Sequence, residues 1–243
     1  MRRPSEAIWQ ILLLLLIILL IVIIAVSVRG APQGITVISN TTENFTGNSP
    51  AQVNASGGTI TTINFNATQQ TYRWKGYVGN VTGKVALRDS NNYSLYDWSI
   101  TSITGEVYAS RANAITWTAV NCTNATIMAS ENTALGINSS SIDSINNTFN
   151  GTTHRSFYVG TQHIVNSTCP SIATNVNNTA QSLSESSYFQ EVLLDDDTAM
   201  IYTTILELDI TGFDSQSYDF QLIVADSESE STATTYYFWA ELV

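Results

Sequence analysis

The residues with the clearest chemical signature in this 243-residue chain are asparagines, and the chemistry is done to them rather than by them. Asn-x-Ser/Thr triplets without proline begin at Asn40, Asn44, Asn54, Asn66, Asn80, Asn92, Asn121, Asn124, Asn138, Asn146, Asn150, Asn166 and Asn177. That is thirteen of 21 asparagines. With Ser and Thr at about a quarter of the chain, chance would give roughly five or six, so the excess points to N-glycan acceptors. No asparagine follows Asn178, so the remaining tail is expected to be free of N-glycans.

The two cysteines, Cys122 and Cys169, are expected to form one disulfide if the segment lies in an oxidising compartment, and otherwise to be two buried thiols. Catalytic groups are sparse. Nucleophilic hydrolysis needs a Ser or Cys, a base and an orienting acid. Only His154 and His163 offer imidazole bases, with no nucleophile signature near them, and they read as surface or strand residues. No enzymatic activity and no cofactor are expected. Oxygen-rich turns can hold Ca²⁺. The candidates are Asp195, Asp196 and Asp197 at one expected turn, and Asp209, Asp214 and Asp219 around the next; solvated turn acids are the plainer reading. Trp74, Trp98, Trp117 and Trp239 would stack on sugars if exposed in a groove, or fill a core if buried.

The formal charge is −11. After Arg155 the chain has no Lys or Arg but thirteen Asp and Glu. Nucleic-acid binding requires a basic stripe, so that class is excluded.

These groups need something to place them outside a cell. Residues 11–28 read ILLLLLIILLIVIIAVSV, eighteen residues without charge. As a helix they would span about 27 Å, close to a hydrocarbon core. Arg2 and Arg3 precede the run and Trp9 sits at its border. The positive-inside rule then leaves residues 1–10 in the cytoplasm and carries the rest outside. A cleaved signal peptide, giving a secreted chain, is the competing reading, but its apolar run is usually shorter and followed by a better small-x-small site. A pilin-like leader, suggested by Glu6, is a third.

Residues 29–57 read as a stalk, with a short strand at 35–38. Residues 58–243 read as an ectodomain of short strands: 59–64, 72–78, 84–88, 96–100, 106–110, 115–120, 157–165, 188–194, 199–208, 218–225 and 234–243. A loop-rich insertion is expected at 121–187. In 218–226 and 234–242 one alternate set of residues is apolar, as in a sheet with one buried face. The expected fold is all-β: an antiparallel β-sandwich, jelly-roll or immunoglobulin-like, preceded by an N-terminal transmembrane helix.

The ensemble of Trp74, Gly76, Gly79, Asn80 and Gly83, then Tyr96-Asp97-Trp98, GEVYAS at 105–110, and Trp117 before Cys122 resembles a family of archaeal secreted or membrane-anchored surface proteins. The pieces at 201–205, 211–213, 218–224 and 236–242 fit the same resemblance. It implies an exported β-rich domain and transfers no catalytic residue. The function expected is that of a membrane-anchored extracellular N-glycoprotein with a structural or adhesive role. The alternatives are a filament subunit that donates the 35–38 strand to a neighbour, and a carbohydrate-binding surface module. Partners would be the membrane, through 11–28, and further copies, other surface proteins or glycans.

Overall fold

The computed structural model describes residues 30–227 and 233–243. The expected membrane segment 11–28 lies outside them, and among the described residues no helix is long and apolar enough to cross a membrane.

The fold is dominated by antiparallel β-structure. Its centre is a seven-stranded sheet. In spatial order it runs β1 (Gln33–Gly34), β15 (Tyr237–Leu242), β5 (Gly105–Ser110), β11 (Met200–Ile205), β10 (Gln190–Asp195) and β6 (Asn121–Cys122). β9 (Ser171–Ala173) pairs with the other half of β10. The far edge of β10 is thus completed by two short pieces, β6 opposite Leu194 and Asp195, and β9 opposite Gln190 to Val192.

The sheet is buried on both faces. On one, Ala109, Leu193, Met200 and Tyr202 pack under β14 (Phe220–Ala225), which pairs with β2 (Trp74–Gly79), and under helices α1 (Ala125–Ala134) and α2 (Ile145–Thr148). On the other, Tyr108, Val192, Leu194 and Ile201 pack against Val120 and the hairpin of β7 (Phe157–Val159) and β8 (Gln162–Ile164). Because side chains alternate along a strand, a doubly covered strand must be apolar at successive positions. β15 obeys this: Phe238 packs on the first core and Trp239 on the second. The expectation of one buried face is corrected accordingly.

Two hairpins stand outside these layers, β3 (Lys84–Arg88) with β4 (Ser94–Ser99), and β12 (Ile210–Thr211) with β13 (Ser217–Tyr218).

Several expected elements differ. The region 121–187, expected to be loop-rich, also carries two helices and several short strands. Asn124 caps α1 by accepting the amides of Thr126 and Ile127, and Ile137, Ile145, Phe149 and Val159 are core residues. α1 carries small and polar residues with no strong apolar stripe, which hid it. Arg111 and Glu131 hold it to the end of β5 through a bidentate pair of 2.7 and 2.6 Å. The strand expected at 115–120 is a 3-10 turn at Trp117–Ala119. The strand expected at 59–64 does not form. The segment read as a stalk starts instead as β1, with Gln33 opposite Ala240 and Gly34 opposite Trp239. From there to Arg73 the chain has no helix or strand and returns to the domain as a long exposed loop carrying Asn40, Asn44, Asn54 and Asn66.

Candidate functional site

Cys122 and Cys169 form a disulfide across 47 positions of sequence, with Cα atoms 4.8 Å apart. Both ends of the excursion it closes, β6 and β9, pair with β10, so the bond fastens the two half-strands that finish the sheet. His154 sits beside it, buried and outside any strand rather than at a surface or strand position as expected. Its Nε2 accepts the amides of Cys169 at 3.0 Å and Thr168 at 3.2 Å, and its Nδ1 lies 2.7 Å from the Arg155 carbonyl. Those partners require a neutral ring with the proton on Nδ1. Burial lowers its pKa, against the opposing pull of the Arg155 carbonyl and Glu185. The ring is a backbone organiser. His163 stacks on Tyr158 at 4.6 Å, on the opposite side of the hairpin from the buried Phe157 and Ile164.

Of the six acids weighed for Ca²⁺, Asp195, Asp196, Asp214 and Asp219 act as acceptors at turns, while Asp197 and Asp209 contribute backbone amides to them. Asp195 Oδ1 accepts the Asp197 amide. Asp196 accepts from Thr198 and Ala199 through Oδ1 and from Thr116 through Oδ2. Burial alone would raise the pKa of Asp196, but these donors hold it below the usual carboxylate range. Asp219 takes the amides of Asp209 and Val81 on its two oxygens, and Asp214 takes the Gln216 amide and the Tyr218 hydroxyl. Among the described residues no group of three or more His, Cys, Asp or Glu is placed to hold a metal ion.

The paired acids in this structure are ones the sequence did not single out. Glu106 and Glu241 sit opposite each other on β5 and β15, both buried. The Tyr108 hydroxyl donates to Glu241 Oε2 at 3.4 Å, and the Gly160 amide donates to the same oxygen at 2.7 Å. Burial, then the two carboxyls, push the tyrosine pKa well up. This buried cluster ties the β7–β8 turn to the sheet.

Of the thirteen sequon asparagines, twelve are exposed and Asn146 is half-buried. Among the described residues the one buried asparagine is Asn132, which begins no sequon. Several acceptor nitrogens are engaged, as with Asn121 to the Ala119 carbonyl and Asn146 to the Ser139 carbonyl.

The tryptophans divide. Trp74 joins Phe149 and Tyr202 in the first core, and Trp117 and Trp239 meet at 5.5 Å in the second. Trp98 belongs to neither. It lies on the β3–β4 hairpin, where Val85 faces Trp98 and Leu87 faces Tyr96. Directly opposed residues share a face, so these four form one apolar surface. Each is more than half exposed, from 51% to 60%. The Tyr96 and Trp98 rings meet edge to face at 4.9 Å. On the other face Lys84 pairs with Asp97. An isolated two-stranded hairpin is marginal in water, and here its apolar side is uncovered. The sequence marked a strand at 84–88. Nothing in the sequence distinguished Trp98 from the core tryptophans.

Protein-family models, curated proteins and solved structures were each compared with the chain, and none matches it.

Proposed function

We propose that the protein is a membrane-anchored extracellular glycoprotein with a structural or adhesive role, held by residues 11–28. The placement of the sequon asparagines carries this reading: a dense set of acceptors on a β domain, none of them buried. The disulfide supports it. The architecture is read as a sandwich, with the seven-stranded sheet as one layer and β2–β14 as the other.

Extraction and intact mass test it together. Detergent should be required to release the chain, and its mass should lie well above 26.5 kDa. Release of an unglycosylated chain by high salt would reject the proposal.

One observation favours a second reading, assembly by strand exchange. β1 covers only two of the six residues of β15, and the β-prone residues 36–38 beyond it are unpaired in their own domain. Native surface preparations without filaments containing this protein would remove it.

A further inference from the structure

The uncovered hairpin lies at the end of the domain where the apolar run 11–28 must join it. β1 runs antiparallel to β15, so going backwards from Gln33 the chain heads towards the end of β15. Gly30 and Ala31 lie against Gly160, whose amide is bound by Glu241. The next residues of β15 are the base of the hairpin's support. The space beside the Gly83 Cα is filled by Leu242, and the Val243 amide donates to the Thr104 carbonyl while the Thr104 hydroxyl donates to the Val243 carbonyl. Only residues 29–32 separate Val28 from β1, a reach of at most about 18 Å even fully extended. A six-residue strand is itself about 20 Å long. An anchor at 11–28 therefore leaves no room for a stalk and brings this end of the domain to the membrane surface.

We propose that the β3–β4 hairpin lies in the interfacial layer of the lipid bilayer, with Val85, Leu87, Tyr96 and Trp98 turned towards the lipid. This rests on the anchored reading above. The side chains suit the site: aromatic rings favour the interface, where one end is apolar and the other wet. Lys84 and Arg88, two of the six basic residues beyond Arg29, project from the hairpin's other face, where their charged heads meet the headgroup level. The surface complements a slab of headgroups and upper acyl chains; the edge-to-face rings of Tyr96 and Trp98 offer no flat platform for a sugar. The turn at the hairpin tip, closed by Asp89 accepting the amides of Asn91 and Tyr93, carries the sequon at Asn92. Interfacial docking leaves that acceptor out of reach of glycosylation.

The test uses the full chain carrying Trp9→Phe in lipid vesicles, with lipids brominated in the upper acyl chain as quencher. Trp74, Trp117 and Trp239 are packed in the cores, so the lipid-quenched emission should come from Trp98 and fall by at least half when Trp98→Phe is added. Quenching unchanged by Trp98→Phe overturns the proposal. So does a Trp98 shielded from aqueous iodide yet insensitive to brominated lipid, which would mean a second copy covers it. Glycopeptide analysis of the native chain gives an independent readout: Asn92 bare is expected, and Asn92 occupied in most molecules overturns the inference. A chain that leaves the membrane in alkaline carbonate rejects the anchored reading itself. A chain that stays in with Trp98 in water rejects only the hairpin's docking.

Discussion

His154 Nε2 accepts the amide of Cys169 at 3.0 Å, so one imidazole holds the backbone on which the disulfide is mounted. The same nitrogen takes the Thr168 amide, and a proton there would remove both contacts. Since the folded-state pKa lies below the unfolded value of about 6.5, the folded chain binds the proton less tightly than the unfolded one. Stability is therefore complete above that pH and declines as pH falls through it. Melting temperatures from pH 8 to pH 5 should show this slope in the native chain and a flatter one in His154→Gln. Parallel profiles would show that the ring does not titrate in this way.

Removing the disulfide should be costly. In the chain-entropy model, a cross-link across 47 residues contributes about 4 kcal/mol. For a domain of this size that corresponds to a melting temperature lower by roughly 8–16 °C. Calorimetry of Cys122→Ala with Cys169→Ala checks it, and a fall of less than about 2 °C would mean that β6 and β9 stay on β10 unaided.

Glu191 gives the opposite pH dependence to His154. It is fully buried on β10, and Oε2 accepts the Ile223 amide of β14 at 2.8 Å, joining the two β layers. Burial raises its pKa well above the usual range, although the Ile223 amide opposes this. The folded chain holds a proton that the unfolded chain releases above about pH 4.3. Stability is then full below that pH and is lost as pH rises towards the folded pKa. Glu191→Gln keeps a carbonyl for Ile223 and has no charge to bury. It should melt above the native chain at pH 8, with the difference closing near pH 4. A difference independent of pH would contradict this.

Gly105 opens β5 at φ +130°, a conformation that L side chains rarely adopt. A Cβ there would stand 1.9 Å from the Glu241 carbonyl oxygen of β15. Gly105→Ala must push the two central strands apart, and should cost more than about 3 kcal/mol. Urea titration measures it. A loss below about 1 kcal/mol would mean the β5–β15 ladder yields easily.

Glycan occupancy should follow exposure. Asn146 is half-buried, its amide nitrogen donates to the Ser139 carbonyl and its oxygen accepts from buried Asn132. Asn54 and Asn66, on the exposed loop before β2, have no such ties among the described hydrogen bonds. Site-resolved glycopeptide mass spectrometry should find Asn146 least occupied after Asn92. Equal occupancy at Asn146 and Asn66 would remove the link between local packing and modification.

What the chain determines by itself is local. Alternation and turn residues marked β3, β5, β10 and β11 to within a few residues, because a strand's periodicity is written in adjacent side chains. The Asp195–Asp197 turn was legible for the same reason, and the sequons are triplets that need no fold to be read. Tertiary structure decided the rest. α1 has little apolar patterning and is held by its Asn124 cap and by Arg111 from a distant strand. Gln33 and Gly34 became β1 because β15, 200 residues away, offered an open edge. Four tryptophans of one residue type were sorted by packing alone, three into cores and Trp98 onto an uncovered hairpin. Burial depends on which surfaces meet, and contacts between residues remote in sequence leave no trace in local spacing.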